Sequence, residues 1–150
     1  MKIREARISD INKVAELVKG LSHYYLENGQ SDCPEWLTLT LTESAFFKRF
    51  NDAMFFNVVA EIDRVIVGYI SIKSGFHCYH LFVASDFHKQ GIANALWQHC
   101  KNQLNIKHCT VRSSLFAVPF YSKLGFYISD SVSYKDDIGF QPMLYDCECD

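Results

Sequence analysis

A chain of 150 residues with 49% hydrophobic composition can bury one sizeable core, so the simplest organisation is a single domain over 1–150. A formal net charge of -2, with no basic run and no basic residues interleaved with aromatics, argues against a nucleic-acid partner. No apolar run approaches the ~20 residues that span a bilayer, and MKIREARISD lacks a signal core, so a cytoplasmic protein with no membrane partner is expected.

KIREARI alternates and reads as a first strand, closed by Ser9 and Asp10, either of which can cap a following helix. In INKVAELVKGLSHYYL, the residues Ile11, Val14, Ala15, Leu17, Val18 and Leu21 make an apolar stripe of helical period. NGQSDCPEW is loop-like. TESAFFKRF then starts a helix on Thr42, with Ala45 three residues on in place of a full capping box. FFNVVAEI and VIVGYISIK flank Asp63-Arg64 and predict a hairpin. SGF makes the next turn and HCYHLFVA the next strand.

Turn-prone Ser85 and Asp86 end that strand. After Gly91, the residues Ile92, Ala95, Leu96, His99 and Cys100 recur at helical spacing. KHCTVRS (strand), LFAVPFYSKLG (helix ending at Gly125), FYISDSVSY (strand) and GFQPMLYD (strand) complete the chain. No repeat, linker or low-complexity stretch interrupts this order, which describes one mixed α/β layer fold.

Of the six cysteines, Cys33, Cys78, Cys100 and Cys109 are isolated, and Cys147 and Cys149 form a CxC. Histidines lie close by: His77 and His80 beside Cys78, His99 beside Cys100, His108 beside Cys109. Neither CxxC nor HxxxH pairs occur, so no metal site is predicted. In a reducing compartment the thiols stay free and behave as small buried hydrophobes.

Gly91 stands at a strand–loop–helix junction, where the first backbone N–H groups of the helix have no intrahelical partner. Those donors and the positive end of the helix dipole make a candidate anion site. Alone, a glycine there need only ease the turn.

Its neighbours say more. His88-Lys89-Gln90-Gly91-Ile92-Ala93 resembles the acetyl-CoA signature of the GNAT N-acetyltransferase superfamily: Gln or Arg, two residues, Gly, one residue, then Gly or Ala. AVPFYSKLGF is similar to the superfamily helix that ends in a Tyr followed by Gly-Phe, and FQPMLY to the closing strand of many bacterial members. Element order matches as well, so the resemblance covers nearly the whole chain. It implies a GNAT acyl-CoA N-acyltransferase fold of the α/β (α+β) class. Its central sheet is mixed, mostly antiparallel, splayed between central strands and flanked by helices. It also implies acetyl-CoA as co-substrate and no metal.

The implied site follows residue by residue. Gly91 lets the backbone approach the pyrophosphate, and the N–H groups from about Gln90 through Ile92 and Ala93 to Asn94 converge on it. Lys89 adds a mobile charge. His88 departs from the usual Gln or Arg; its imidazole can support the loop or donate to a phosphate, with Gln90 as the alternative polar contact. The HLFVA strand splays from KHCTVRS, and the backbone of Leu81 and Val83, with Phe82 between them, pairs with the pantetheine amides by strand addition.

In such a reaction an amine attacks the thioester carbonyl, an oxyanion forms and the sulfur leaves as a thiolate. The resemblance puts Tyr121 at the general-acid position, and a backbone N–H near Phe82 or Val83 against the carbonyl oxygen. His80 and Glu61 are the candidate bases, with water as the alternative. The segment SHYYLENGQSDCPEW lies where the family builds its acceptor wall. Tyr24, Tyr25 and Trp36 with Glu27, Asp32 and Glu35 suggest an aromatic, acidic lining for a cationic amine. Peptide N-terminus, lysine side chain, polyamine, aminoglycoside and amino acid all stay open as acceptors, and so does a homodimer. The rival readings are a non-catalytic acyl-CoA-binding sensor and a metal- or redox-responsive protein using the Cys/His pairs.

Overall fold

In the computed structural model, which describes residues 1–21 and 35–147, strands β2 (Phe55–Ile62) and β3 (Val65–Lys73) form the predicted hairpin. Its turn residues Asp63 and Arg64 both take left-handed backbone, with φ of 50° and 67°, as a two-residue turn matched to strand twist requires. Both strands are buried on two sides, which is why they read as nearly continuous apolar runs. Val58 and Ala60 face one layer of helix while Val59 faces the other.

The sheet extends from this hairpin. With β1 (Lys2–Glu5), β4 (His77–Val83), β5 (His108–Ser114), β6 (Tyr127–Ile128) and β8 (Ile138–Asp146), the order is β1-β2-β3-β4-β5-β8-β6. A short β7 (Ser133–Lys135) also pairs with β8. Every pairing is antiparallel except β4 with β5.

Helices α1 (Ile11–Gly20), α2 (Glu35–Thr40) and α3 (Glu43–Phe50) precede β2. From α1 and α3, Val14, Val18 and Phe46 pack on Val59 and Tyr69. Helix α4 (Ile92–Leu104) buries Leu96, Trp97 and Cys100 against Val58, Ile70 and Ile72 on the opposite face. Side chains of this size each contribute about 1.5–3 kcal/mol on burial. Helix α5 (Val118–Lys123) adds Tyr121 to that second core. Among the described residues, no helix is long and apolar enough to cross a membrane.

Three local expectations change. Helix α2 forms where the sequence reads as loop through Trp36 and predicts the next helix only from Thr42, because Leu37 finds a buried position. FYISDSVSY is not one strand: Asp130 accepts from the Ser131 N–H at 2.7 Å and its carbonyl accepts from Gln141 Nε2 at 2.8 Å. Such side-chain bonds compete with the ladder and leave two short strands. Asp10 does not cap α1 with its side chain; its carboxylate accepts from Arg4 and from the Arg7 N–H. Thr42 does cap α3, accepting from the Ala45 N–H at 3.1 Å.

Candidate active site

Strands β4 and β5 are paired only at His77–Thr110 and Cys78–Val111, and beyond those residues they part. Which groups line the gap follows from the ladder on the other side of β4. The Ala84 N–H donates to the Val67 carbonyl at 2.8 Å, and Val83, Phe82 and Leu81 pair with Gly68, Tyr69 and Ile70. In an antiparallel ladder these pairs alternate, so Phe82 bonds to β3 while Leu81 and Val83 turn their N–H and C=O groups to the open side. The Phe82 N–H therefore does not face the cleft; those of Leu81 and Val83 do.

The loop after β4 is built to bring backbone donors together. Lys89 and Gly91 both have positive φ, 64° and 78°, on either side of Gln90. The first N–H to bond back within α4 is that of Ala95, to the Gly91 carbonyl at 3.0 Å, which leaves those of Ile92, Ala93 and Asn94 pointing out of the helix. A Cβ at Gly91 would meet nothing within 4 Å, and Gly91, Ile92, Ala93 and Asn94 all border open space. Donors at a positive helix end facing open space suit an anion.

His88 and Gln90 both brace this loop. His88 Nε2 donates to the Val83 carbonyl at 2.7 Å, and Gln90 Nε2 donates to the Asp86 carbonyl at 3.2 Å. Gln90 does not line the cleft, whereas His88, Lys89, Gly91, Ile92, Ala93 and Asn94 do.

That cleft is one cavity of about 600 Å³, and it runs from the loop past Leu81, Phe82 and Val83 to Tyr121. Tyr121 is only 6% exposed. Pro119 opens its helix, and Gly125, at φ 103°, closes it. The hydroxyl lies against the thiol of Cys78, whose pKa burial pushes well above the ordinary thiol value while Tyr121 draws it the other way. Burial also raises the thiols of Cys100 and Cys109 to about 12, so all three stay protonated. Among the described residues no cluster of His, Cys, Asp and Glu is placed to hold a metal ion.

The two candidate bases part company. His80 lines the cleft, but its ring sits among Phe46, Tyr69, Tyr79 and Phe82 and its Nε2 is buried without a hydrogen-bond partner. Burial, reinforced by the charge of Arg49, holds its pKa well below the ordinary histidine value. Glu61 is not in the cleft. It lies on β2, two strands from β4, and its carboxylate accepts from Arg4 at 2.9 Å beside the Arg4–Asp10 pair at 2.8 Å. Glu61 is therefore an ion-pair residue outside the cleft and not placed to act as the base.

Of the expected acceptor wall, Tyr24, Tyr25, Glu27 and Asp32 lie outside the described residues. Trp36 lines the cleft; Glu35 is exposed and does not. Sequence reasoning missed Cys78, Arg112 and Phe140 as cleft residues and Arg49 behind it. For Arg112 a signal existed: in HCTVRSS the buried residues alternate, which puts Thr110 and Arg112 on the face opposite Cys109 and Val111.

A family model described as the GNAT acetyltransferase domain matches residues 26–147. The chain belongs to that family. The GNAT assignment makes it an acyltransferase, and solved structures share its fold. The PaiA N-acetyltransferase from Thermoplasma acidophilum, in complex with coenzyme A, is 15% identical with a TM-score of 0.81, over 97% of this chain and 98% of that one. A GCN5-related N-acetyltransferase from Rhodopseudomonas palustris is 18% identical with a TM-score of 0.80, over 97% and 94% of the two chains. The ribosomal-protein-S18-alanine N-acetyltransferase from Escherichia coli is 12% identical with a TM-score of 0.69, over 96% and 92%. No curated protein matches in sequence. At these identities the likeness concerns the GNAT fold alone.

Proposed function

We propose that the protein is an acetyl-CoA-dependent N-acetyltransferase in which an amine attacks the thioester directly, with both substrates bound. The observation that carries this reading is the parting of β4 and β5 after Cys78, which opens one cleft from the Gly91 loop to Tyr121.

Each residue then has a task. The N–H groups of Ile92, Ala93 and Asn94 take the pyrophosphate, with Lys89 adding charge at the mouth. The open backbone groups of Leu81 and Val83 take the pantetheine amides. A cleft-facing N–H of that pair also takes the negative charge that grows on the carbonyl oxygen during attack. The nitrogen–carbon bond forms, the carbon–sulfur bond breaks, and the phenol of Tyr121 donates its proton to the sulfur. The amine's proton passes to water in the cleft, because His80 is a weakened base with a closed Nε2.

The test combines acetyl-CoA binding by calorimetry with an amine panel read by free-thiol release. Binding together with acceptor-dependent release supports the reading. Binding without release for any amine makes the protein a sensor instead, and absence of binding overturns both.

A further inference from the structure

The identity of the acceptor rests on the proposed transfer reaction, and here the cleft carries more than the chain's motifs do. We propose that the acceptor amine also bears a carboxylate and an apolar or aromatic body, with Arg112 taking the carboxylate and Trp36 and Phe140 flanking the body.

Arg112 projects from β5 on the face away from α4 and α5, and its guanidinium lies 4.8 Å from the centre of the Phe140 ring. Trp36 stands 6.2 Å from Phe140, tilted by 53°. Stacked on an aromatic face, the guanidinium keeps its planar donor edge free for a carboxylate. Among the described residues it has no carboxylate partner.

A second cation sits behind this half of the cleft. Arg49 is 9% exposed and lies 4.8 Å from the Phe46 ring centre and 5.3 Å from that of Tyr79. It bonds to the Thr40 carbonyl, its Nε has no partner, and no carboxylate faces it among the described residues. None of the described residues lining the cleft is an aspartate or glutamate. Asp136 accepts from the Trp36 Nε1–H at 2.6 Å and Lys135 lies 4.3 Å from the Trp36 ring centre, but neither guanidinium forms an ion pair among the described residues. Cations without a carboxylate partner repel further positive charge and attract negative charge. A polyamine or aminoglycoside would bring extra ammonium groups into that field. An amino acid or short peptide with its carboxylate near the amine would relieve it.

The test separates binding from transfer. CoA-loaded protein is titrated with N-acetyl-L-phenylalanine and with N-acetyl-L-phenylalaninamide, which differ only in the carboxylate. The acid should bind about tenfold or more tightly than the amide, as a hydrogen-bonded charge pair implies. Arg112→Gln should bring the acid to the level of the amide, Arg112→Lys should recover part of the difference, and both exposed-site variants should keep the CoA-induced thermal shift. Turnover is then compared for L-phenylalanine, L-phenylalaninamide and spermidine. Equal binding of the two compounds, binding of neither, a difference that survives in Arg112→Gln, or spermidine as the best acceptor would overturn the assignment. Acid-selective binding without thiol release would instead remove the transfer reading and keep the Arg112 site.

Discussion

His88 reaches back five residues to Val83, its Nε2 donating to the carbonyl at 2.7 Å, and this bond joins the end of β4 to the loop that precedes α4. It uses one lone pair of the carbonyl that Val83 turns to the cleft, which leaves the Leu81 carbonyl as the freer acceptor for a bound amide. The bond requires a proton on Nε2. Removing the imidazole in His88→Ala should weaken acetyl-CoA binding about 2–10-fold, the worth of a net hydrogen bond of ~0.5–1.5 kcal/mol. The single-turnover rate at saturation should hold. A loss of rate with unchanged affinity would assign His88 to the chemistry.

Gly91 adopts φ 78°, which costs a side-chain-bearing residue about 1–2 kcal/mol, and the space in front of it is open. In wild type, acetyl-CoA at 100 times its Kd should add about 2.7 kcal/mol of stability. Gly91→Glu puts a negative side chain where the phosphates are assigned and should abolish that shift. A melting temperature that rises equally in both proteins would remove the phosphate role from this loop.

Tyr121→Phe keeps the ring and its edge contact with Phe126, at 5.5 Å, and removes only the hydroxyl. Affinity for acetyl-CoA should hardly change, while single-turnover transfer slows roughly 10²–10⁴-fold, toward the low end where water supplies the proton. Wild-type speed in the variant would reduce Tyr121 to a packing residue.

His80 makes stability depend on pH. Its folded pKa lies well below the ordinary histidine value, chiefly through burial, so below about pH 6.5 the unfolded chain binds a proton that the folded chain refuses. The full contribution is present above that pH and is lost as pH falls, by up to about 1.4 kcal/mol per unit. Denaturant melts at pH 7.5 and 5.5 should show a smaller acid loss in His80→Phe than in wild type. Equal losses would mean that His80 is solvated enough to charge.

Glu61→Gln tests whether that residue serves the Arg4 ion pair alone. Removing the negative charge opposite Arg4 should lower stability by up to about 1 kcal/mol and leave transfer kinetics unchanged. A large fall in kcat at undiminished stability would return Glu61 to the reaction.

Much of the fold was written locally. Asp63-Arg64, Thr42, Gly91 and Gly125 each act within a few residues of their own position, and turn, cap and junction chemistry of that range can be read along the chain. The loop and helix around Gly91 and the helix carrying Tyr121 lie where their motifs put them, because both motifs are short and local. The broken FYISDSVSY segment and the helix of Glu35–Thr40 escaped, since a carbonyl bond from Gln141 and a buried seat for Leu37 come from elsewhere in the molecule.

Only the tertiary structure decided what the polar residues of the site can do. Glu61 and His80 are both strand residues near polar neighbours, yet one is tied to Arg4, 57 positions away, and the other is enclosed by aromatic rings from other elements. Arg112 meets Phe140 only because β5 and β8 pair. Ionisation and charge pairing depend on solvent exclusion and on which segments meet, and a linear chain specifies these only through the packed whole.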